Sequence, residues 1–289
     1  MAVLTKGTTL RRENLVNIWL HSSVSGIVSV GQAFVILTSG IDLSVGGLAL
    51  MIANLGASLM TGQPTVPIWV LPTMLLVAVG VGAFNGSLVS RIGMPALIVT
   101  LAVWRINQGV SYAICHGLTI GNLPKGISYI GSGHIAGVPV PVVIFISVIM
   151  VAYFLLNNTN FGRQIYAVGG NRVSSWLSGI NVKSRELSVY VISGFLAGLA
   201  GLVTMARVMS ASMVTVSGLE LDSIAGVVIG GISLMGGKGS IIGVVIGTMI
   251  LGVISNGMTI FAVNPASQDM VKGGIILGAV AADYMRRRR

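Results

Sequence analysis

Four stretches of this 289-residue chain contain no Asp, Glu, Lys or Arg. They cover residues 43–90, 126–162, 187–206 and 239–268. A helix needs ~20 mainly apolar residues to cross the hydrocarbon core of a membrane, and each stretch is at least that long. The pattern therefore predicts helices that cross a membrane several times.

Hydropathy predicts nine transmembrane segments, with boundaries that are soft by several residues. They cover residues 19–39, 43–61, 66–90, 94–115, 138–157, 187–206, 221–236, 240–262 and 266–285. The seventh segment is short and rich in glycine, so we expect a broken or partial crossing there. Irregular backbone is tolerated at membrane depth where protein covers it or where it lines a cavity. The predicted fold class is an all-α polytopic membrane protein with about nine transmembrane helices.

The composition agrees with a membrane protein, because Asp, Glu, Lys and Arg make up only 8% of the residues, compared with roughly 25% in soluble domains. The 40 glycines suit close packing of helix backbones in lipid. The net charge of +10 comes from basic residues in short links and at positions 286–289. Because cytoplasmic loops of membrane proteins are basic and face anionic lipid, this charge does not require a nucleic acid as partner.

The basic links also predict the orientation of the chain. If residues 286–289 are cytoplasmic, counting backwards places Lys238, the loop 163–185 and Arg91 in the cytoplasm as well, as the positive-inside rule expects. The same count places Lys6, Arg11 and Arg12 outside, against that rule. Two explanations are open: a first span that would begin in the cytoplasm is lacking, or one of the nine segments is miscounted.

Two parts of the chain share short patterns in the same order. Asp42, Ser44 and Gly46 match Asp222, Ser223 and Gly226, and Asn85-Gly86 before Pro95 matches Asn256-Gly257 before Pro265. The matched segments lie five spans apart, an odd number, so the two copies would cross the membrane in opposite directions. We therefore predict an inverted repeat with a solute pathway at its interface, although chance matching in a glycine-rich chain is an alternative.

Asp42 stands between two segments that are apolar enough to cross the membrane, where an unpaired carboxylate is costly. It can cap the incoming helix by accepting hydrogen bonds from free backbone N–H groups, and Ser44 offers an alternative cap. Contact with a transported solute is the less favoured interpretation. By the same argument Glu220 and Asp222 are expected to be caps or residues at the mouth of a pathway.

The longest charged link covers residues 157–186 and contains apolar side chains that a solvated loop would not need. These include Ile165, Val168, Trp176, Leu177 and Ile180. We predict a short amphipathic helix that faces a cytoplasmic partner, and the alternative is a helix that lies on the lipid surface.

The chain offers little for catalysis or metal binding. The glycine-rich stretch 236–240 departs from the phosphate-loop pattern, because Ile232 stands where that pattern needs glycine and Gly239 follows the lysine. Ser132 and His134 have no nearby acid, and the three histidines have no metal-ligand spacing. We predict no catalytic residue, no metal site and no cofactor. The lone Cys115 excludes an internal disulfide.

Arg105 falls within the fourth predicted span, beside Asn107 and Gln108. A charge at this depth faces a bundle interior or a watery cavity, or its side chain extends towards an interface. The sequence leaves these two alternatives open.

Three motifs, in residues 35–46, 162–180 and 218–239, resemble those of the ribose-type permeases of bacterial ABC sugar importers, and the similarity covers nearly the whole chain. The resemblance implies a single transmembrane domain over residues 1–289, with a cytoplasmic coupling loop at 157–186. Candidate residues of the family motif and the pathway are Gly40, Asp42, Ser44, Gly46, Arg105, Glu220, Asp222 and Asn256. Candidate coupling residues are Gly162, Arg163, Gly169, Gly170, Asn171, Ser178, Gly179 and Ile180.

The same resemblance implies several partners. They are a cytoplasmic ABC ATPase, a sugar-binding protein of the periplasm or a lipoprotein, a second permease subunit, the sugar and membrane lipid. The resemblance also implies ten spans, with a first helix that the present sequence lacks before residues 14–18. Permeases for nucleosides or branched-chain amino acids, an ion-coupled carrier and a membrane scaffold are the rival functions.

Overall fold

The computed structural model of the chain describes residues 12–286. Its helices are α1 (Arg12–Leu37), α2 (Ser44–Met60), α3 (Val70–Ser87), α4 (Ala96–Cys115), α5 (Ser128–Ser132), α6 (Val140–Asn158), α7 (Asn160–Gly170), α8 (Arg172–Leu177), α9 (Val182–Val208), α10 (Leu219–Ile229), α11 (Ile241–Ile260) and α12 (Pro265–Arg286). A π-helical turn, Leu88–Ile92, extends α3, and a 3-10 turn, Lys125–Ile127, precedes α5. The strands β1 (His134–Ile135) and β2 (Val138–Pro139) form a small antiparallel hairpin before α6.

A helix occupies each of the nine predicted transmembrane positions. Among the described residues, six helices are long and apolar enough to cross a membrane: α1, α3 with its π-helical turn, α4, α6, α9 and α11. Helix α2 is apolar but has 17 residues, and α12 has 22 residues but carries Asp269 and Lys272. The predicted fold class, an all-α polytopic membrane protein, is confirmed. Lys6, Arg11 and residues 287–289 lie outside the described residues.

The seventh predicted segment, 221–236, is helical only in its first part. Helix α10 has 11 residues and ends at Ile229, and no regular helix follows until α11 begins at Ile241. Gly231 and Gly236 have φ values of 83° and 83°, which favour glycine because a side chain is strained there. The irregular backbone contacts the end of α1, where the N–H of Gly237 donates to the carbonyl of Leu37 at 2.9 Å. The crossing is therefore broken, as the sequence predicted.

Two long helices, α1 and α9, form the centre of the bundle. They pack against each other, and each also packs against helices from the other half of the chain: α1 against α10 and α11, and α9 against α2 and α3. An inverted repeat of α1–α4 and α9–α12 would produce this packing, in which the first helix of each copy contacts helices of the other copy.

The helix directions follow the same symmetry. Along α9, Leu187 and Tyr190 lie beside Gly86 and Gly82 of α3, so these two helices are antiparallel. Along α1, Asn14 pairs with Asn256 of α11, while Ser22 lies beside Gly252, so these two helices are antiparallel as well. The close approach depends on small residues, because a methyl group added at Gly82 would overlap the carbonyl of Tyr190.

One pair of matched residues does not correspond in the structure. Asp42 lies two residues before α2 begins at Ser44, whereas Asp222 is the fourth residue of α10. Asn85 and Asn256, in contrast, both lie near the carboxyl ends of their helices, α3 and α11. Pro95 is the N-cap of α4 and Pro265 begins α12. The prolines and asparagines therefore mark equivalent positions better than the aspartates do.

The bundle has two distinct ends. At one end, the turn after α1 lies beside α7 and the segment after α10, where the hydroxyl of Ser39 donates to the carbonyls of Met235 (2.5 Å) and Gly169 (3.4 Å). At the other end, the hydroxyl of Thr61 donates to the carbonyl of Gly121, and Ile120 pairs with Ala211. The first end carries the basic residues that the positive-inside rule places in the cytoplasm.

Candidate functional site

The Asp42 carboxylate is held in a buried junction of four chain segments. One oxygen, Oδ1, accepts the backbone N–H of Ser44 at 2.9 Å and its hydroxyl at 2.6 Å. The other oxygen, Oδ2, accepts the hydroxyl of Ser193 on α9 at 2.8 Å. The Ser44 hydroxyl in turn accepts from Nδ2 of Asn85 on α3 at 2.8 Å. We call Asp42, Ser44, Asn85 and Ser193 the polar junction.

The backbone of Asp42 is also paired. In the orientation that satisfies both groups, the Gln32 amide of α1 donates to the carbonyl of Asp42 at 3.0 Å and accepts from its N–H at 3.2 Å. Asp42 is only 1% exposed and lies in the connection between α1 and α2, outside both helices. Burial raises the pKa of the Asp42 carboxyl above its ordinary value, and the hydrogen bonds from Ser44 and Ser193 oppose that change. A buried carboxylate needs such partners to be tolerated.

Asp42 accepts a free N–H at the start of α2, as the capping interpretation expects, but it precedes the N-cap residue by one position. Leu43 occupies the N-cap of α2, but its side chain makes no capping bond, and Asp42 accepts the N–H of the first helical residue instead. Ser44 is that first residue, so it is not the alternative cap. Glu220 and Asp222 do not occupy the N-cap of α10, which is Gly218 with φ 71°, and their alternative position at the mouth of a pathway stays a prediction. Both acidic residues lie within the first turn, where the helix dipole favours negative charge.

The other predicted pathway residues lie in different surroundings. The Glu220 carboxylate lies directly against Gly46, and any side chain at Gly46 would overlap it. Asp222 forms an ion pair of 2.9 Å with Lys272 of α12. Gly40 lies against the Tyr190 hydroxyl, which has no hydrogen-bond partner among the described residues. Of the predicted pathway residues, Asp42 and Ser44 therefore belong to the polar junction, while Glu220 links α10 to the start of α2.

Arg105 is exposed on the outer face of α4. Its guanidinium donates to Oε1 of Gln108 at 3.3 Å and lies 4.5 Å from the ring centroid of Trp104. No carboxylate pairs with it among the side chains that the structure describes in residues 14–281. An exposed, unpaired charge in the middle of a membrane-spanning helix requires water or another protein surface beside it.

The 157–186 link contains two helices, where the sequence predicted one. Side-chain caps delimit them and the start of α9: Thr159, Asn171 and Asn181 accept the N–H groups of Gly162, Ser174 and Ser184. Gly179, with φ 82°, permits the turn after α8, in which the N–H of Ile180 donates to the carbonyl of Ser175 at 3.1 Å.

The two helices of this link face in opposite directions. Helix α7 is amphipathic, as predicted, and it buries Gly162, Ile165 and Val168 against the bundle while Arg163 is exposed. Gly169 lies so close to the carbonyl of Leu37 that a side chain would not fit there, whereas Gly170 has open space around it.

Helix α8 exposes the apolar side chains of Val173 (66%), Trp176 (66%) and Leu177 (72%). The Ser178 hydroxyl closes this helix by donating to the carbonyl of Ser174 at 2.9 Å. An ion pair of 2.8 Å between Arg172 and the buried Glu186 joins α8 to α9. An apolar patch of this kind on a basic surface is typical of a protein interface.

Several residues of the site have no signal in the sequence. Ser193, Gln32 and Tyr190 lie in apolar helices and become significant only because helix packing brings them to Asp42. His21 and Arg207, which are 186 residues apart, form a contact of 3.2 Å. No group of three or more His, Cys, Asp or Glu side chains within the described part of the chain could hold a metal ion.

The fold defines a class of protein: a multi-pass helical membrane protein. The chain matches the family described as the branched-chain amino acid transport system / permease component over residues 14–280. It therefore belongs to this permease family, and it is a multi-pass integral protein of the bacterial inner membrane.

Curated relatives match nearly the full chain. The ribose import permease protein of Haemophilus influenzae is 39% identical, with 94% of this chain and 85% of the relative covered. The D-allose transport system permease protein of Escherichia coli is 38% identical, with coverages of 96% and 85%. The xylose transport system permease protein of Haemophilus influenzae is 30% identical, with coverages of 100% and 93%. No solved structure matches the chain with significant similarity.

The polar junction predicts a structural effect of Asp42→Asn. The amide would place N–H donors where the donors of Ser44 and Ser193 now point, so we expect a loss of about 1–3 kcal/mol in stability and a lower yield of folded protein. Thermal unfolding of the detergent-purified protein measures this loss. Asp269→Asn, at an exposed position of α12, is the matched control and should be neutral. Equal stability of the two variants would contradict a structural role for the junction.

Proposed function

We propose that this chain is the permease subunit of an ABC importer for a monosaccharide. The observation that carries the proposal is the set of relatives named for ribose, allose and xylose, each at least 30% identical over nearly the whole chain. Although the family description mentions branched-chain amino acids, these relatives favour a sugar. The subunit performs no catalysis itself, and ATP hydrolysis belongs to a separate ATPase.

The link 157–186 is the proposed coupling segment of this domain, which extends over residues 1–289. Helix α7 is fixed to the bundle by buried residues, and α8 directs Val173, Trp176 and Leu177 away from it. The alternative is that α8 lies on the lipid surface with its basic residues directed at anionic headgroups. Arg172 does not suit that role, because it forms an ion pair with Glu186. The ATPase therefore contacts α8, and its movement reaches the turn after α1 through the contact between Gly169 and Leu37.

A second permease copy or a close relative completes the transporter. The face of α4 that carries Arg105 also exposes Leu101, Gln108 and Tyr112 to different degrees, which gives it a mixed polar and apolar character. A face of this kind suits a solute route between two subunits, where Arg105 is hydrated. Gly46 and Glu220 hold α10 against α2, which packs behind α4, and Asn256 joins α11 to α1. A periplasmic or lipoprotein sugar-binding protein delivers the solute.

Transport assays test the proposal directly. Proteoliposomes that contain the permease, its ATPase and the sugar-binding protein should take up ribose, allose or xylose only when ATP is supplied. Radiolabelled uptake with and without each component is the measurement. Uptake by the permease alone, driven by an ion gradient, would overturn the proposal in favour of an ion-coupled carrier.

The coupling role of α8 predicts the effect of Leu177→Ser. Loss of a buried leucine at an interface removes about 1.5–3 kcal/mol, so we expect ATPase binding to weaken at least tenfold while the permease stays folded. Affinity of the detergent-purified permease for its ATPase measures the effect. Leu118→Ser, equally exposed but at the opposite end of the bundle, is the control and should bind normally. Normal binding by both variants would exclude α8 as the docking helix.

A further inference from the structure

A cavity of about 440 Å³, with both apolar and charged side chains in its lining, lies among α1, α9, α10, α11 and α12. This volume is within the ~300–1,000 Å³ that is usual for small-molecule sites. The side chains that give the cavity its chemistry are His21, Ser25, Thr204, Arg207, Asp222 and Lys272. We call this space the outer cavity, because it lies at the end of the bundle away from α7 and α8. Arg207 is the penultimate residue of α9, and Asp222 belongs to the first turn of α10.

The outer cavity is distinct from the polar junction. None of the residues that line the cavity takes part in the hydrogen bonds among Asp42, Ser44 and Ser193. No pattern in the sequence joins His21, Arg207 and Lys272, since they come from three separate segments. Only the packing of the central helices brings them to one cavity.

The cavity offers both hydrogen-bond donors and acceptors. Arg207 reaches Nε2 of His21 at 3.2 Å, and none of the carboxylates that the structure describes in residues 14–281 forms an ion pair with it. Lys272 and Asp222 form an ion pair through Oδ2, which leaves Oδ1 of Asp222 free to accept. The Thr204 hydroxyl donates to the carbonyl of Ala200, so towards the cavity it acts as an acceptor.

A neutral polyhydroxylated solute fits this mixture best. Each hydroxyl of a sugar donates one hydrogen bond and accepts others, so it can donate to Asp222 or Thr204 and accept from Arg207 or Lys272. An anion would satisfy the two cations but would be repelled by the Asp222 carboxylate. The side chains of Lys272 and Asp222 are each about one-quarter exposed, so a solute can reach both of them.

We propose that the outer cavity binds the transported monosaccharide on the outer side of the permease, with Asp222 as hydroxyl acceptor and Arg207 and Lys272 as donors. This assignment rests on the proposed function and adds a solute site within one subunit, separate from the face of α4 that carries Arg105. Binding is weak, because a solute must leave each site along a transport route.

Cysteine labelling tests the site in the full-length permease. In a Cys115→Ala background, Thr204→Cys places the only thiol in the cavity, and a membrane-impermeant methanethiosulfonate reports its accessibility. Ribose, allose or xylose at millimolar concentration should slow this labelling severalfold. Leu118→Cys, outside the cavity and 71% exposed, is the matched control and should be labelled at the same rate with and without sugar.

A second variant tests the chemistry of binding. Asp222→Asn should raise the sugar concentration needed for half protection about tenfold, because a hydrogen bond to a charged acceptor is replaced by a weaker one. If that variant does not fold, Arg207→Gln tests the donor side, and we expect a similar change.

Three results would overturn the assignment. The first is the absence of protection by any of the three sugars in a preparation that transports sugar with its ATPase and binding protein; this leaves the proposed function intact. The second is protection by inorganic phosphate and not by sugar, which would identify an anion site. The third is equal protection in the parent and in both the Asp222→Asn and Arg207→Gln variants. Failure of the proposed function itself would appear in the uptake assay instead.

Discussion

The architecture depends on the way one buried carboxylate is satisfied. Asp42 is almost completely enclosed, and it is tolerated because Ser44 and Ser193 direct three hydrogen-bond donors at it. These bonds hold the start of α2 against α9, and Asn85 extends the connection to α3. The turn between α1 and α2 is therefore fixed from within the bundle, although its sequence is short and rich in small residues.

The same turn contacts α7 and the segment after α10 from the other side. Ser39 binds the carbonyls of Met235 and Gly169, and the N–H of Gly237 binds the carbonyl of Leu37. If α7 has the proposed coupling role, a displacement of α7 would act on this turn, and the polar junction would pass it to α3 and α9. At the opposite end of α9, Arg207 belongs to the outer cavity. A single long helix thus connects the junction near the coupling segment with the proposed solute site.

Sequence reasoning predicted the elements of the fold better than their contacts. Long apolar stretches predicted helices at all nine positions, and the glycines after Ile229 predicted the interruption of α10. Asp42 was identified because a carboxylate between two apolar segments requires a partner. Its partners could not be identified, because Ser193 and Gln32 lie among many similar small or polar residues and only packing selects them. Asp42 and Asp222 matched in sequence but do not occupy equivalent positions, because short patterns of Gly, Ser and Asp recur by chance. Asn85 and Asn256, in contrast, occupy equivalent helix ends.

The most direct test of this account is a double-mutant cycle between Asp42 and Ser193. Stability of the parent, Asp42→Ala, Ser193→Ala and the double variant would be measured by chemical unfolding in detergent micelles. Because both side chains belong to one hydrogen-bonded network, the account predicts a coupling free energy of about 0.5–3 kcal/mol. Losses that add within about 0.3 kcal/mol would show that the two residues act independently, and would contradict a polar junction that fixes the α1–α2 turn to α9.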